Sequence, residues 1–367
     1  MINYESAIKE NIKTIIPYKP GMSADEVKRL YGLERVIKLA SNENPLGVSQ
    51  LVKKALIEKL DGLNIYPSGD VRFLREKLAY KLGVAKEELI FGNGSNEIIE
   101  LLFKAFVNTG EGSLSVSPSF SEYGLIAQGG GSFCKYIDLD DDFTFNFDKI
   151  KVNLDKNIRL VFLSNPNNPT GTYFNEENLI AFLDSIDDNI LVVLDEAYAE
   201  FADAGDFPDA IQLQKKYPNI IIMRTFSKAY GLAGLRVGYA IGNKKAIDYL
   251  NRVRQPFNVN SAAQIAAFTA LDDTDFLRRT IKNNREGKVY LYKEFKNLNL
   301  HYFETQANFI LVDVGFGQKV FEALLKEGVI VRYMGEALSR YIRVTIGNME
   351  ENMCFIDKLR KSLKENL

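Results

Sequence analysis

Three short apolar runs stand in the middle of the chain: Leu160-Val161-Phe162-Leu163, Ile190-Leu191-Val192-Val193-Leu194 and Ile220-Ile221-Ile222-Met223. Each is continuous rather than alternating, the pattern of a strand buried on both faces of a parallel sheet. Each ends abruptly in polar residues: Ser164-Asn165-Pro166, Asp195-Glu196 and Arg224-Thr225. Ligands of open α/β sheets bind beyond the carboxyl ends of the strands. The three polar tails are therefore expected to converge on one crevice.

The rest of the chain is arranged around that sheet. Ile98, Leu101, Leu102, Ala105 and Phe106 fall at helical spacing and predict an amphipathic helix after Gly94-Ser95-Asn96. The C-terminal third reads as a smaller α+β domain. Its strand-like runs are Phe309–Val312, Val329–Arg332 and Tyr341–Val344, and a helix is predicted to start at Asn348, with Glu351 three residues on. The domain boundary is expected near Gln255-Pro256-Phe257, and 367 residues suffice for two domains.

Composition narrows the chemistry. The chain has one histidine and two cysteines, too few for a His-rich metal site or a four-thiolate cluster, so no metal is expected. A hydrolytic triad would rest on His301 alone, and proton transfer is assigned instead to Lys, Tyr, Asp or Glu. Lys+Arg is 46 and Asp+Glu is 48, giving a net charge of −2. That balance offers no footprint for nucleic acid or an anionic membrane. Cys134 and Cys354 are read as buried or idle thiols of a reducing compartment. No apolar leader or bilayer-length run stands in the chain, and a soluble cytoplasmic protein is expected.

The strand ends carry the chemistry. Asp195 directly follows five apolar residues and would protonate on burial unless a cation or donor faced it. A helix cap or a partner for an internal arginine is the plainer role for it. Lys228, in Thr225-Phe226-Ser227-Lys228, could be an amine whose pKa desolvation lowers, suited to condensing with a carbonyl. Most lysines on turns are merely solvated. Its surroundings argue otherwise: Ser227 and Arg236 are phosphate-binding types, and Gly94-Ser95-Asn96 at a helix start offers backbone N–H groups. No GxGxxG or GxxxxGK[ST] occurs, which disfavours dinucleotide and P-loop folds. Pro169 holds Asn168 out of helical geometry, so its side chain can be aimed inward.

The set Asn168-Pro169-Thr170-Gly171, Asp195-Glu196-Ala197-Tyr198, Ser227-Lys228 and Gly234-Leu235-Arg236-Val237-Gly238-Tyr239 resembles the fold-type I aminotransferases, which use pyridoxal 5′-phosphate (PLP). Tyr18 in Ile16–Gly21, Lys38–Pro45 and Tyr66-Pro67 look like the histidinol-phosphate aminotransferase branch. The resemblance implies an α/β fold: a large domain with a central, mostly parallel seven-stranded sheet, plus a smaller α+β C-terminal domain. It divides the chain into 1–37 (arm and part of the small domain), 38–257 (PLP-binding) and 258–367 (linking helix and small domain).

The resemblance also implies roles. Lys228 would carry PLP covalently and shuttle a proton, Asp195 would face the pyridine nitrogen, and Asn168 and Tyr198 would hydrogen-bond the phenolic oxygen. Phe120 would stack on the ring, Ser95, Asn96, Ser227 and Arg236 would surround the phosphate, and Thr225 would also bind the cofactor. Tyr66 would reach the phosphate of a neighbouring subunit in an obligate homodimer. Arg332, Arg343, Asn308, Asn44 and Tyr18 would face the substrate. The implied reaction is transamination between histidinol phosphate and the 2-oxoglutarate/glutamate pair. Alternatives are another small phosphate ester such as serinol phosphate, an aromatic amino acid, or decarboxylation of phosphothreonine. A PLP-binding transcription regulator would need a DNA-binding domain ahead of this fold. Two features depart from the branch: Phe120 replaces a frequent Tyr, and Tyr333–Arg340 replaces a Tyr-Gly-Leu loop. Arg340 is read as a loop charge, and His301 as structural or solvent-facing.

Overall fold

The computed structural model describes residues 2–17 and 21–366. Twelve strands are described: β1 (Ile37–Lys38), β2 (Leu89–Gly92), β3 (Gly112–Ser117), β4 (Phe133–Asp138), β5 (Ile158–Ser164), β6 (Leu191–Asp195), β7 (Ile220–Thr225), β8 (Gly238–Gly242), β9 (Phe309–Asp313), β10 (Val329–Ile330), β11 (Arg332–Tyr333) and β12 (Tyr341–Thr345). Seven form one sheet in the order β2-β8-β7-β6-β5-β3-β4. Only β8 runs against its neighbours, pairing antiparallel with β2 and β7. The other contacts, β7 with β6, β6 with β5, β5 with β3 and β3 with β4, are parallel.

The continuous apolar runs have a direct cause. Successive strand residues point to opposite faces, and both faces of this sheet are covered. Val161, Leu163, Val192, Leu194, Ile220 and Ile222 enter one core. Leu160, Phe162, Val193, Ile221 and Met223 enter another, where the helix Ser95–Phe106 adds Ile98, Leu101 and Leu102.

A third core gathers the C-terminal strands with Ile37 and Leu39. Here β11, β12 and β9 form an antiparallel sheet, while β10 pairs parallel with β1. The run Val329–Arg332 is thus not one strand. The chain changes sheets at Val331, which is itself buried, so that Val329–Ile330 meets β1 and Arg332–Tyr333 meets β12. Gly171 brings the turn after β5 against this part of the molecule. Its φ is +78°, and a Cβ there would lie 2.2 Å from Thr305 Oγ1.

The last helix, Met349–Asn366, begins as its residues dictate. The Glu351 N–H donates to Asn348 Oδ1 at 2.9 Å, and the Asn348 N–H donates to Glu351 Oε2 at 2.8 Å. This reciprocal cap satisfies two otherwise orphaned donors. Asn348→Ala is expected to cost about 1 kcal/mol and to lower the urea midpoint, with the kinetic constants unchanged.

Candidate active site

The polar tails of β5, β6 and β7 lie side by side, because Ser164 registers with Asp195 and Asp195 with Met223. Asp195 is 4% exposed. Its Oδ2 accepts from the Tyr123 hydroxyl at 2.7 Å, and Oδ1 accepts from the Ala197 N–H at 3.3 Å. Burial pushes its carboxyl up to about 6, helped by the Glu196 charge and opposed by these two donors and by Lys228. Asp195 is not the partner of an internal arginine. The next residue, Glu196, fills that role, accepting from Arg224 at 2.7 Å.

Lys228 follows β7 at the mouth of the same crevice. Its Nζ donates to the Ser41 carbonyl at 3.0 Å and lies 5.8 Å from the centre of the Tyr198 ring. Desolvation lowers its pKa to about 8, with Arg343 and Arg236 lowering it further and Glu43 and Asp195 opposing. A lysine so placed carries a usable fraction of neutral amine near neutral pH.

The segment Ala40–Asn42 holds three of these groups by consecutive carbonyls. Ala40 accepts from Arg343 Nη2 at 2.7 Å, Ser41 from Lys228, and Asn42 from Asn308 Nδ2 at 3.1 Å. Arg343 Nη1 also donates to Asn168 Oδ1 at 2.5 Å, so the turn after β5 and strand β12 meet here. Arg332 is the direct cross-strand partner of Arg343. Register partners project from the same face, and like charges so placed repel.

A second cradle lies at the start of the helix Ser95–Phe106. Gly94 has φ +77°, and a Cβ on it would come within 2.4 Å of Arg236 Nη2. The guanidinium thus packs against bare backbone beside the first N–H groups of the helix, those of Ser95 and Asn96. Arg236 is itself in the left-handed region, with φ 56°, and donates to the Ala233 carbonyl at 3.2 Å. Buried Ser227 donates its N–H to Thr225 Oγ1 at 3.0 Å, closing the turn before Lys228. Arg236 and the first N–H groups of the helix make a candidate anion cradle of the helix-terminus kind.

The other expected residues are distributed as follows. The Phe120 ring meets Tyr123 edge-on at 5.6 Å. Asn308 is 2% exposed, and its Oδ1 has no hydrogen-bond partner among the described residues. Asn44 is engaged by the protein at both ends of its amide. Nδ2 donates to the Ala229 carbonyl and to Thr280 Oγ1, and Oδ1 accepts from the Leu46 N–H. Its geometry fits bracing the backbone beside Lys228 rather than meeting a substrate. Tyr66 is 78% exposed and stacks on Phe257 at 4.8 Å. Tyr18 lies outside the described residues. Arg340 pairs with Asp313 at 2.8 Å, and exposed His301 packs edge-on against Phe303 at 4.9 Å.

Two participants escaped the sequence reading. Tyr123 had a usable signal: it stands three residues after Phe120, a spacing that places both on one side of a helical turn. Asn42 lies in the Lys38–Pro45 segment, but nothing local marked its role. It contacts Tyr198 and Thr345, which are 156 and 303 residues distant.

Among the described residues no cluster of three or more His, Cys, Asp or Glu could hold a metal ion, and no helix is long and apolar enough to cross a membrane. The family model for aminotransferase class I and II matches residues 34–359. The chain is 45% identical over 361 residues to histidinol-phosphate aminotransferase of Geobacillus sp. (strain WCH70), covering 98% of each chain. It superposes on the crystal structure of histidinol-phosphate aminotransferase from Sinorhizobium meliloti in complex with pyridoxal-5′-phosphate, with TM-score 0.90, 24% identity and 99% of each chain covered. It also superposes on the histidinol-phosphate aminotransferase from Clostridium acetobutylicum, with TM-score 0.83 and 27% identity over 90% of this chain and all of that one. With a lysine and a buried aspartate at the strand ends of such a sheet, the chain belongs to the class I and II aminotransferase family.

Proposed function

We propose that the chain is a PLP-dependent histidinol-phosphate aminotransferase, moving an amino group between histidinol phosphate and the 2-oxoglutarate/glutamate pair. One observation carries this reading. A lysine of lowered pKa and a buried carboxylate share one crevice, bounded at one end by the Gly94–Arg236 cradle and at the other by the Arg332–Arg343 pair. Two anion sites flanking one reactive amine suit a phosphorylated cofactor and an anionic substrate together.

The residues present fit the cofactor. Arg236, Ser227, Thr225, Ser95 and Asn96 would hold its phosphate, Phe120 would cover its ring, and Asn168 and Tyr198 would face its phenolic oxygen. Asp195 needs a cation or donor to remain ionised in its buried position, and a protonated pyridine nitrogen supplies one. When bound, the cofactor provides a carbonyl that takes up the substrate amine and a protonated ring that withdraws electrons from the reacting carbon.

The chain's own residues supply the rest. Tyr123 and the Ala197 N–H aim the Asp195 carboxylate and lower its proton affinity. Lys228 takes a proton from the substrate carbon and returns it at the other end of the reacting system, a task matched to a pKa of about 8. Arg343 and Arg332 hold the anionic end of the substrate, which orients the carbon toward Lys228. Asn308, with its buried Oδ1 lacking a partner among the described residues, can accept from a substrate donor. Tyr18 is assigned to the substrate side on sequence grounds.

Supplying equal concentrations of histidinol phosphate, serinol phosphate, phenylalanine and phosphothreonine with 2-oxoglutarate tests the substrate. Histidinol phosphate is expected to form glutamate at least tenfold faster than the others. A faster rate with any other donor, or carbon dioxide from phosphothreonine, contradicts the assignment.

A homodimer with shared sites belongs to the same proposal. Leu60, Leu63, Ile65, Tyr66, Phe73 and Tyr80 are all exposed along one stretch of the chain, an apolar display that favours burial against a second copy. Tyr66→Phe is expected to leave the dimer intact and to weaken cofactor retention about tenfold, the scale of one hydrogen bond to a charged group. Equilibrium dialysis and light scattering check this, and a fully active monomer contradicts it. The reduced thiols of Cys134 and Cys354 suit a cytoplasmic setting.

A further inference from the structure

Tyr198 has one hydroxyl proton, and the direction of that proton is set by what its oxygen already accepts. Asn42 Nδ2 donates to the Tyr198 oxygen at 2.9 Å. The orientation of the Asn42 amide follows from Thr345. The Thr345 Oγ1 accepts the Asn42 backbone N–H at 2.9 Å, so its own proton goes to Asn42 Oδ1, at 3.2 Å. With the oxygen end of the amide taken by Thr345, the amino end faces Tyr198.

Asn42 is built into place. It is 1% exposed, its φ of 55° lies in the left-handed region that asparagine tolerates better than most residues, and its carbonyl accepts from Asn308 Nδ2. Thr345 belongs to β12, so the direction of the Tyr198 hydroxyl is tied to the strand that carries Arg343.

We propose that Asn42 is a positioning residue: by donating to the Tyr198 oxygen, it turns the single Tyr198 proton into the crevice, toward the phenolic oxygen of the cofactor. This rests on the reading of Tyr198 given above. The charged and titratable groups facing Tyr198 are Arg343, Asp195 and Lys228, and Phe309 closes its ring edge at 5.1 Å. Burial keeps the hydroxyl protonated, so it acts as a donor throughout the working range.

The test titrates the visible absorbance of the cofactor-bound enzyme against pH and measures the cofactor dissociation constant. Tyr198→Phe removes the donor and is expected to raise the titration midpoint by about one unit, since a hydrogen bond to the charged form favours that form. Asn42→Asp keeps the shape but presents a carboxylate that accepts the Tyr198 proton, and it is expected to raise the midpoint by a comparable amount. In the Tyr198→Phe background, Asn42→Asp is expected to add nothing. Asn42→Gly accommodates the positive φ, removes the donor, and is expected to give a smaller rise in the same direction.

An unmoved midpoint in Asn42→Asp, beside a raised one in Tyr198→Phe, overturns the role of Asn42. A double-variant midpoint raised beyond that of Tyr198→Phe overturns it too, because the carboxylate would then act through its charge alone. Should Asn42→Asp fail to fold, an unmoved Asn42→Gly midpoint overturns the proposal. An unmoved Tyr198→Phe midpoint overturns the reading of Tyr198 itself.

Discussion

Lys228→Ala is expected to fold and still bind the cofactor reversibly, but to lose transamination by about 10³-fold or more, the scale of a positioned acid–base group. Lys228 Nζ donates to the Ser41 carbonyl, and it sits where burial already disfavours its charge. Its removal therefore deletes a reactive group without uncovering a core. Borohydride is expected to fix the cofactor to the wild-type chain on the peptide containing Lys228, and to fix none on the variant. A retained label on the variant would place the anchor on another amine.

Asp195→Asn is expected to lower kcat by about 10²- to 10³-fold, the cost of removing one preorganised electrostatic group, and to weaken cofactor retention. Asparagine keeps the size but has one acceptor oxygen where Asp195 uses two, for Tyr123 and Ala197, so the variant loses the charge together with one of those bonds. The pH dependence carries the sign of the argument. Burial raises the Asp195 carboxyl to about 6, so acidification through that value neutralises the group that would face the ring nitrogen. Wild-type cofactor affinity is expected to fall as pH drops through about 6, and Asp195→Asn should lack this acid limb. An affinity within threefold of wild type across the range would remove Asp195 from the account.

How much of this was legible in the residues depends on the range of the interaction. The strands β5, β6 and β7 were readable because both faces of the sheet are covered, and the apolar run reports that locally. Asp195 and Lys228 were readable because they interrupt the pattern at strand ends, where an unpaired charge is costly. The Val329–Arg332 run was misread as one strand because hydropathy does not say which sheet a residue joins. Val331 is as apolar as its neighbours, and only the pairing with β1 on one side and β12 on the other divides it.

Partner choice was the least legible level. The sequence offered Asp195 as a possible partner of an internal arginine, but Asp195 turns toward Tyr123 and the next residue, Glu196, takes Arg224. Asn44 and Asn42 stand two residues apart in one polar segment. One braces the Ala229 carbonyl and the other faces Tyr198. No local pattern distinguishes them, because each is defined by a residue more than 150 positions away.

A single-turnover half-reaction tests the central claim most directly. Cofactor-loaded enzyme is mixed with histidinol phosphate in the absence of any acceptor, and the absorbance of the bound cofactor and the released ketone are followed together. The account predicts loss of the visible band, with one imidazole-acetol phosphate formed per active site, in the wild type and not in Lys228→Ala. A wild-type band unchanged by histidinol phosphate, in an enzyme that responds to another amine, would contradict it.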